Sequence, residues 1–171
     1  VMIISSSAGL WGYNIGDTVQ FTSVKPYRVI VSGRIKHFIS AFGEHVIAKE
    51  VEEAMQDAVA QTGAAISEFT VAPQINPEGG ELPFHEWFVE FEQEPEDLNK
   101  FAEIIDTSLQ KQNSYYLDLI EGNILQRLKV TTVPQNAFQE YMKSIGKLGG
   151  QNKLPRLSND RKIVDKLNEI I

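Results

Sequence analysis

From residue 47 onward, the apolar positions of the chain follow helical and strand spacings in turn. In residues 47–62 the apolar side chains recur at every fourth position and a glycine follows, which predicts an amphipathic helix ending at residue 62. Similar spacing predicts helices over residues 96–112, 136–144 and 160–170, and a short helical stretch over residues 115–120. Apolar runs predict strands over residues 66–72, 84–91 and 127–132.

The first 34 residues show strand patterns only. Apolar and polar side chains alternate over residues 18–22 and 28–32, and shorter apolar runs occupy residues 1–5 and 10–14. This pattern predicts an antiparallel meander or small barrel of four strands, with residues 1–5 buried. A further short strand is predicted at residues 36–39, before a glycine-containing loop.

We therefore predict an α+β fold in two parts. Residues 1–34 form a short β-meander, and residues 35–171 form a small mixed sheet flanked by helices. The change of pattern at residues 33–36 predicts the boundary between them.

Length and composition restrict the class of protein. The 171 residues suffice for one domain with a sizeable core and a remnant of a second. The absence of cysteine excludes disulfides, thiolate zinc sites and Cys nucleophiles, and is compatible with a cytoplasmic location.

The apolar runs are too short to span a bilayer, so no membrane contact is expected. Because Val1 lies directly in strand-like sequence, we expect a piece of a longer polypeptide.

The net charge of −7 argues against nucleic-acid binding, which requires a basic surface. The charge is distributed unevenly along the chain, because from Glu140 onward there are seven Lys and Arg residues but only four Asp and Glu residues. This part is either a solvated basic helix or a tail that meets an anion. His37, His45 and His85 have no metal-ligand spacing, so no metal site is predicted.

Two motifs near the start of the chain carry groups that suit a nucleotide. The turn from Tyr13 to Asp17 places a carboxylate at the start of a strand, where its two oxygens can accept both hydroxyl protons of a ribose. Gly33 and Arg34 combine a flexible backbone with a side chain that can reach a phosphate or ribose. Taken singly, these motifs also fit a plain β-turn and a strand end with solvated basic residues.

A third motif lies near the end of the chain, at residues 149–156. Two glycines predict a mobile loop, Lys153 follows them, and Pro155 restricts the residue before it. A lysine on such a loop can neutralise a carboxylate or phosphate oxygen in a transition state. The alternative is a flexible surface loop with a solvated lysine. Elsewhere in the chain, a run of glutamates at positions 90, 92, 94 and 96 is predicted to be a solvated strand edge.

The three motifs together resemble the adenylate-forming superfamily, which includes acyl-CoA synthetases, luciferases and peptide synthetase adenylation domains. Four segments carry a closer resemblance, namely LWGYNIGDTV at residues 10–19, PYR at 26–28, SAFGEH at 40–45 and QNKLPR at 151–156. Their sequences are most similar to the C-terminal region of the Gretchen Hagen (auxin-responsive) acyl acid amido synthetases, in a bacterial form. The resemblance extends over essentially the whole chain.

This resemblance implies a two-step ligase. A carboxylic acid and ATP, with Mg²⁺ expected to accompany the nucleotide, would give an acyl-adenylate and pyrophosphate. An amine such as an amino acid would then displace AMP. By the same resemblance, Asp17 would bind the ribose hydroxyls beside Tyr13. Arg34 would lie at the hinge near the ribose, and Lys153 would approach the reacting carboxylate and α-phosphate.

The resemblance also implies a partner and leaves alternatives. The phosphate loop, adenine segment and acyl pocket of the family have no counterpart here, so a large N-terminal domain of the same polypeptide is expected, and the isolated chain should be inactive. An acyl- or aryl-CoA ligase is a second possibility, although Phe42-Gly43 stands where those enzymes typically have Arg-Gly. The third is a non-enzymatic α+β interaction domain.

Overall fold

The structure is a computed structural model that describes residues 1–34, 38–149 and 152–169. Short strands and two hairpins come first, followed by alternating helices and longer strands. In chain order the elements of the described residues are β1 (Ile3–Ile4), β2 (Tyr13–Asn14), β3 (Asp17–Val24), β4 (Tyr27–Arg34), β5 (Phe38–Ile39), β6 (Val46–Ile47), α1 (Ala48–Thr62), β7 (Ala65–Gln74), β8 (Phe84–Gln93), α2 (Leu98–Gln112), α3 (Ser114–Glu121), β9 (Lys129–Val133), α4 (Ala137–Ser144) and α5 (Lys162–Asn168).

A mixed sheet in the order β7-β8-β9 forms the centre of the α+β part. β7 and β8 pair antiparallel, and β9 pairs parallel to β8 after a crossover through α2 and α3. A short segment near the end of the chain extends the sheet on the other side of β7. There the Val71 N–H donates to the Arg156 carbonyl at 2.9 Å, and the Ser158 N–H donates to the Val71 carbonyl at 3.0 Å. The predicted small mixed sheet is therefore confirmed.

Helices cover both faces of this sheet. Trp87 and Val89 on β8 join the core that lies against α1, α2 and α3. Phe88, between them in sequence, joins a second core formed with α4 and α5. This assignment follows from the strand geometry, because successive side chains of a strand point to opposite faces.

The α-helices begin and end within two residues of their predicted bounds. Local signals explain this agreement. Gly63 ends α1 with φ +71°, a left-handed conformation that glycine adopts without strain. Asp97 begins α2 because its side chain accepts hydrogen bonds from the backbone N–H groups of Asn99 and Lys100.

The prediction for the first residues of the chain is wrong in two respects. The strand predicted at residues 1–5 is limited to Ile3–Ile4, and Ile3 is exposed instead of buried. The strands form two separate antiparallel pairs, β1 with β2 and β3 with β4, and no barrel closes among the described residues. The physical reason is that none of residues 1–34 belongs to either apolar core of the described residues, so these strands have no apolar layer to close upon.

A hairpin that the sequence predicts only in part leads into α1. Of the strand predicted at residues 36–39, β5 is observed at residues 38–39, and residues 36 and 37 lie outside the described ones. β5 pairs with β6, which the pattern does not predict because it is two residues long. The predicted loop of residues 40–45 joins the two strands.

A buried glutamate–histidine pair fixes this hairpin to the sheet. Glu44 and His85 are both fully buried, and Glu44 Oε1 lies 2.8 Å from His85 Nε2. The other oxygen of Glu44 accepts a hydrogen bond from the Phe42 N–H at 2.8 Å. Burial alone raises the pKa of the Glu44 carboxyl. The hydrogen bond and charge of His85, helped by backbone N–H groups, outweigh burial and leave the pKa below its ordinary value.

We expect Glu44→Gln to lower the free energy of unfolding at pH 7 by about 1–3 kcal/mol, since a buried charge-assisted hydrogen bond is lost. A folded-state pKa below the unfolded one stabilises the protein above about pH 4.5, and this stabilisation is lost as pH falls through the folded value. The difference from wild type should therefore shrink below pH 4.5.

Urea unfolding across pH measures this effect. The exposed Glu94→Gln is the matched control and should leave stability unchanged throughout. A Glu44→Gln deficit that is constant with pH would contradict the assignment.

Candidate functional site

The turn between Tyr13 and Asp17 is built around a local side-chain hydrogen bond. Asn14 Oδ1 accepts a hydrogen bond from the Gly16 N–H at 2.9 Å. Gly16 has φ +78°, which explains why glycine occupies this position. Tyr13 is exposed, and Asp17 is half-buried as the first residue of β3. The turn thus presents a carboxylate at the start of a strand, as the sequence predicts.

The structure brings two of the predicted nucleotide-binding residues together. Asp17 and Arg34 are backbone partners at the open end of the β3–β4 hairpin. The Asp17 carbonyl also accepts a hydrogen bond from the Met2 N–H at 2.8 Å, which joins β1 to the same end. Tyr13, Asp17 and Arg34 therefore belong to one end of the strand region.

Lys153 lies in a different part of the molecule, at a cleft of about 650 Å³. None of the three residues above is among the described residues that line it. The cleft lies between the start of α1, the start of β7, helix α4 and the loop before Arg156. Its walls are formed by Ala48, Glu52, Ser67, Glu68, Glu90, Phe138, Gln139, Met142, Lys147, Leu148, Gly149, Asn152, Lys153, Leu154 and Arg156.

Arg156 anchors the segment that follows Lys153. Its guanidinium forms an ion pair with Glu68, donates to the Phe69 carbonyl at 3.2 Å and lies 4.5 Å from the centre of the Phe69 ring. The Phe69 ring in turn stacks on buried Trp87, with 5.7 Å between ring centres. Arginine suits this position because its planar group can stack and hydrogen-bond at once. The segment is thereby attached to the core of the domain.

Glu90 provides a buried carboxylate in the wall of the cleft. Its two oxygens accept hydrogen bonds from the N–H groups of Asn136 and Phe138, at 3.0 and 3.4 Å, and thereby cap the start of α4. The prediction that Glu90 belongs to a solvated strand edge is wrong, because β8 is the central strand. The later members of the run, Glu92, Glu94 and Glu96, are exposed.

The residues that line the cleft include exposed lysines, Lys147 and Lys153, and carboxylates such as Glu68 and Glu90. Glu68 is occupied by Arg156 and Glu90 by α4, whereas Lys153 is exposed on the connecting loop. That loop is held by α4 at its start, where the Lys147 N–H donates to the Met142 carbonyl at 2.8 Å. Such a lysine can meet an anion presented from outside the domain.

Sequence reasoning misses Arg156 and Glu90 as components of the site. The partner of Arg156, the Phe69 carbonyl, lies 87 positions away, and Glu90 meets Asn136 across 46 positions. The Pro-Arg pair after Lys153 is visible in the sequence, but spacing along the chain does not identify partners at such separations.

The described residues contain neither a cluster that suits a metal ion nor a membrane-spanning helix. Within residues 1–34, 38–149 and 152–169, no three His, Asp or Glu side chains form a group that could hold a metal ion. His45 is exposed and stacks on Phe38, and His37 lies outside the described residues. None of the helices in the described part of the chain is long and apolar enough to cross a membrane.

Comparison with known proteins gives one family and one fold. The family described as GH3 family C-terminal domain matches residues 49–162. A solved structure of a GH3.15 acyl acid amido synthetase matches with a TM-score of 0.75 and 17% identity, covering 98% of this chain and 32% of that one. AtGH3.15 acyl acid amido synthetase in complex with 2,4-DB matches with a TM-score of 0.74 and 16% identity, over the same shares. No protein of curated function matches in sequence.

The anchoring role of Arg156 predicts a loss of stability on its removal. Arg156→Ala should lower the free energy of unfolding by about 1–3 kcal/mol, since both the stacked contact and the ion pair disappear from a partly buried position. Lys153→Ala, three residues earlier and exposed, should change it by less than about 0.5 kcal/mol. Denaturant unfolding of the two variants measures the difference, and equal effects would contradict the assignment.

Proposed function

The chain belongs to the GH3 family, and from this membership we propose that it is the C-terminal part of an ATP-dependent acyl acid amido synthetase. The observation that carries the proposal is Lys153, an exposed lysine that lines the cleft beside α4, in the part of the chain that the family match covers. The chain spans about a third of the length of the solved structures it matches (32%), so the activity proposed is that of the whole parent protein.

In the proposed reaction a carboxylate oxygen of the acid attacks the α-phosphorus of ATP, and pyrophosphate leaves as the bridging P–O bond breaks. The nitrogen of an amine then attacks the acyl carbon, AMP leaves with the bonding electrons, and the amine loses a proton. Negative charge accumulates on oxygens in both steps. Lys153 would neutralise the charge at the carboxylate and α-phosphate.

Asp17, Tyr13 and Arg34 would hold the nucleotide from the strand region. These residue types fit a ribose, because the ionised carboxylate of Asp17 can accept hydrogen bonds from two adjacent hydroxyls. Arg34 is the backbone partner of Asp17 across the β3–β4 hairpin. Mg²⁺ would accompany the ATP phosphates. We propose that the joint between this region and the domain that carries Lys153 lies at residues 33–36, so that closure brings Lys153 to the nucleotide.

The exposed apolar side chains of residues 1–34 support a large domain as partner. Trp11 is 87% exposed and Tyr27 is 80% exposed, and Phe21, Val24 and Val31 are exposed as well. Apolar side chains gathered in this way mark a surface that another part of a protein covers. We propose that the large N-terminal domain of the same polypeptide is that part and that it contributes the acid and amine sites.

The environment of Phe42 favours an amine acceptor over coenzyme A. Where CoA ligases typically have Arg-Gly, Phe42 is half-buried and its ring centre lies 6.1 Å from that of His85. An apolar side chain packed on the core cannot bind a phosphate group of CoA as an arginine would.

The proposal predicts acid-dependent exchange of labelled pyrophosphate into ATP by the full-length parent. Lys153→Ala should lower the rate on the order of 10²–10³-fold, as for other preorganised charges at a reacting oxygen. Lys166→Ala, which removes an exposed lysine on α5, should leave the rate unchanged. Absence of exchange with every acid in a broad panel would refute the proposal, as would full exchange by the Lys153→Ala variant.

The acceptor is identified in a separate assay. Adding amino acids should give amide products and release AMP, whereas adding coenzyme A should give no thioester. Consumption of coenzyme A would favour an acyl-CoA ligase instead. The isolated 171-residue chain should show little or no ATP affinity by calorimetry, and tight binding would place the nucleotide site elsewhere.

A further inference from the structure

Asn159 joins the segment that carries Lys153 to the strand that follows residues 33–36. Its Oδ1 accepts a hydrogen bond from the Ser40 N–H at 2.8 Å, and its Nδ2 donates to the Phe38 carbonyl at 2.7 Å. One amide side chain thus pairs with the backbone of residues 38–40 as a neighbouring strand would. The contacts connect positions 119 and 121 residues apart, so no local feature of the sequence predicts them.

Both ends of this connection are held by the core. On one side, residues 38–39 pair with β6, and the Glu44–His85 pair fixes the hairpin to β8. On the other side, the Thr70 hydroxyl donates to the Pro155 carbonyl at 2.8 Å, and the Ser158 N–H donates to the Val71 carbonyl. Asn159 follows Ser158 directly. A displacement of either side is therefore transmitted through a short, hydrogen-bonded path.

Resting on the proposed function, we propose that Asn159 is a positioning residue that couples the strand after the joint to the Lys153 segment. Through Asn159 the backbone of residues 38–40 is connected to the segment of residues 155–159, which also pairs with β7. Without this link, the segment would keep its contacts with β7 and the ion pair of Arg161 with Glu86 on β8, but it would lose its connection to the strand after the joint.

Because Asn159 is exposed, experiments can distinguish a positioning role from a merely structural one. The side chain is exposed, so its two hydrogen bonds compete with water and contribute little to global stability. Its removal should change local motion and reaction rate while the unfolding midpoint stays the same. A residue with a merely structural role would change the midpoint instead.

The first experiment measures amide hydrogen exchange in the 171-residue chain. Asn159→Ala should speed exchange of the Ser40 amide together with the amides of residues 152–154 and 156–158, on the order of tenfold, because two hydrogen bonds are lost. Asn168→Ala, an exposed amide on α5, is the matched control and should change neither. Faster exchange at Ser40 alone, or no change in either segment, would overturn the coupling whether or not the parent is an enzyme.

The second experiment measures pyrophosphate exchange by the full-length parent. Asn159→Ala should lower kcat on the order of tenfold and leave the KM for ATP unchanged, since positioning affects the reacting lysine and not nucleotide binding. Asn159→Asp keeps the acceptor for Ser40 but loses the donor to Phe38, so its loss should be intermediate. In a Lys153→Ala background, Asn159→Ala should cause no further loss.

The outcomes distinguish the two proposals. A parent without acid-dependent exchange but with coupled hydrogen exchange would refute the proposed function and leave the mechanical coupling in place. An active parent that tolerates Asn159→Ala, or one in which the effects of Asn159→Ala and Lys153→Ala multiply, would overturn the positioning role alone.

Discussion

The burial of β8 on both faces is the constraint on which the rest of the structure depends. β8 pairs with β7 on one side and β9 on the other, and Trp87 and Phe88 are fully buried toward opposite faces. Helices must then cover both faces, and the chain places α1 to α3 on one and α4 and α5 on the other. With β9 on the far side, the free edge of β7 is where the segment after Lys153 pairs.

Burial of the sheet also decides which polar side chains it tolerates. His85 and Glu90 both lie on β8, and each has a partner from another part of the chain: Glu44 for His85, and the start of α4 for Glu90. An unpaired buried carboxylate, at Glu44 or at Glu90, would cost several kcal/mol, on the order of 3–5. The two pairs therefore fix how the hairpin before α1 and helix α4 lie against β8, and the cleft forms beside α4.

A feature of this structure can be predicted from the sequence when the interactions that determine it are between residues close together in the chain. The helices are predicted to within two residues because periodicity and caps such as Asp97 and Gly63 are local signals. Contacts between distant residues are not predicted from local signals. The contact of Arg156 with Phe69, and that of Glu90 with the start of α4, depend on which strands become neighbours. The buried status of Glu90 is mispredicted for the same reason, since alternation of charge along a strand does not reveal whether that strand is central.

The two parts of the chain have opposite patterns of burial, and this contrast bears on how the candidate residues can act. In the α+β part the largest side chains are buried, whereas in residues 1–34 aromatic side chains such as Trp11 and Tyr27 are mostly exposed. A hairpin with exposed apolar faces takes its position from whatever covers it, while Lys153 takes its position from β7 and α4. For the proposed function, the distance between Asp17 and Lys153 would depend on how these two parts of the chain meet, and a reaction in successive steps with different geometries requires that this distance can change.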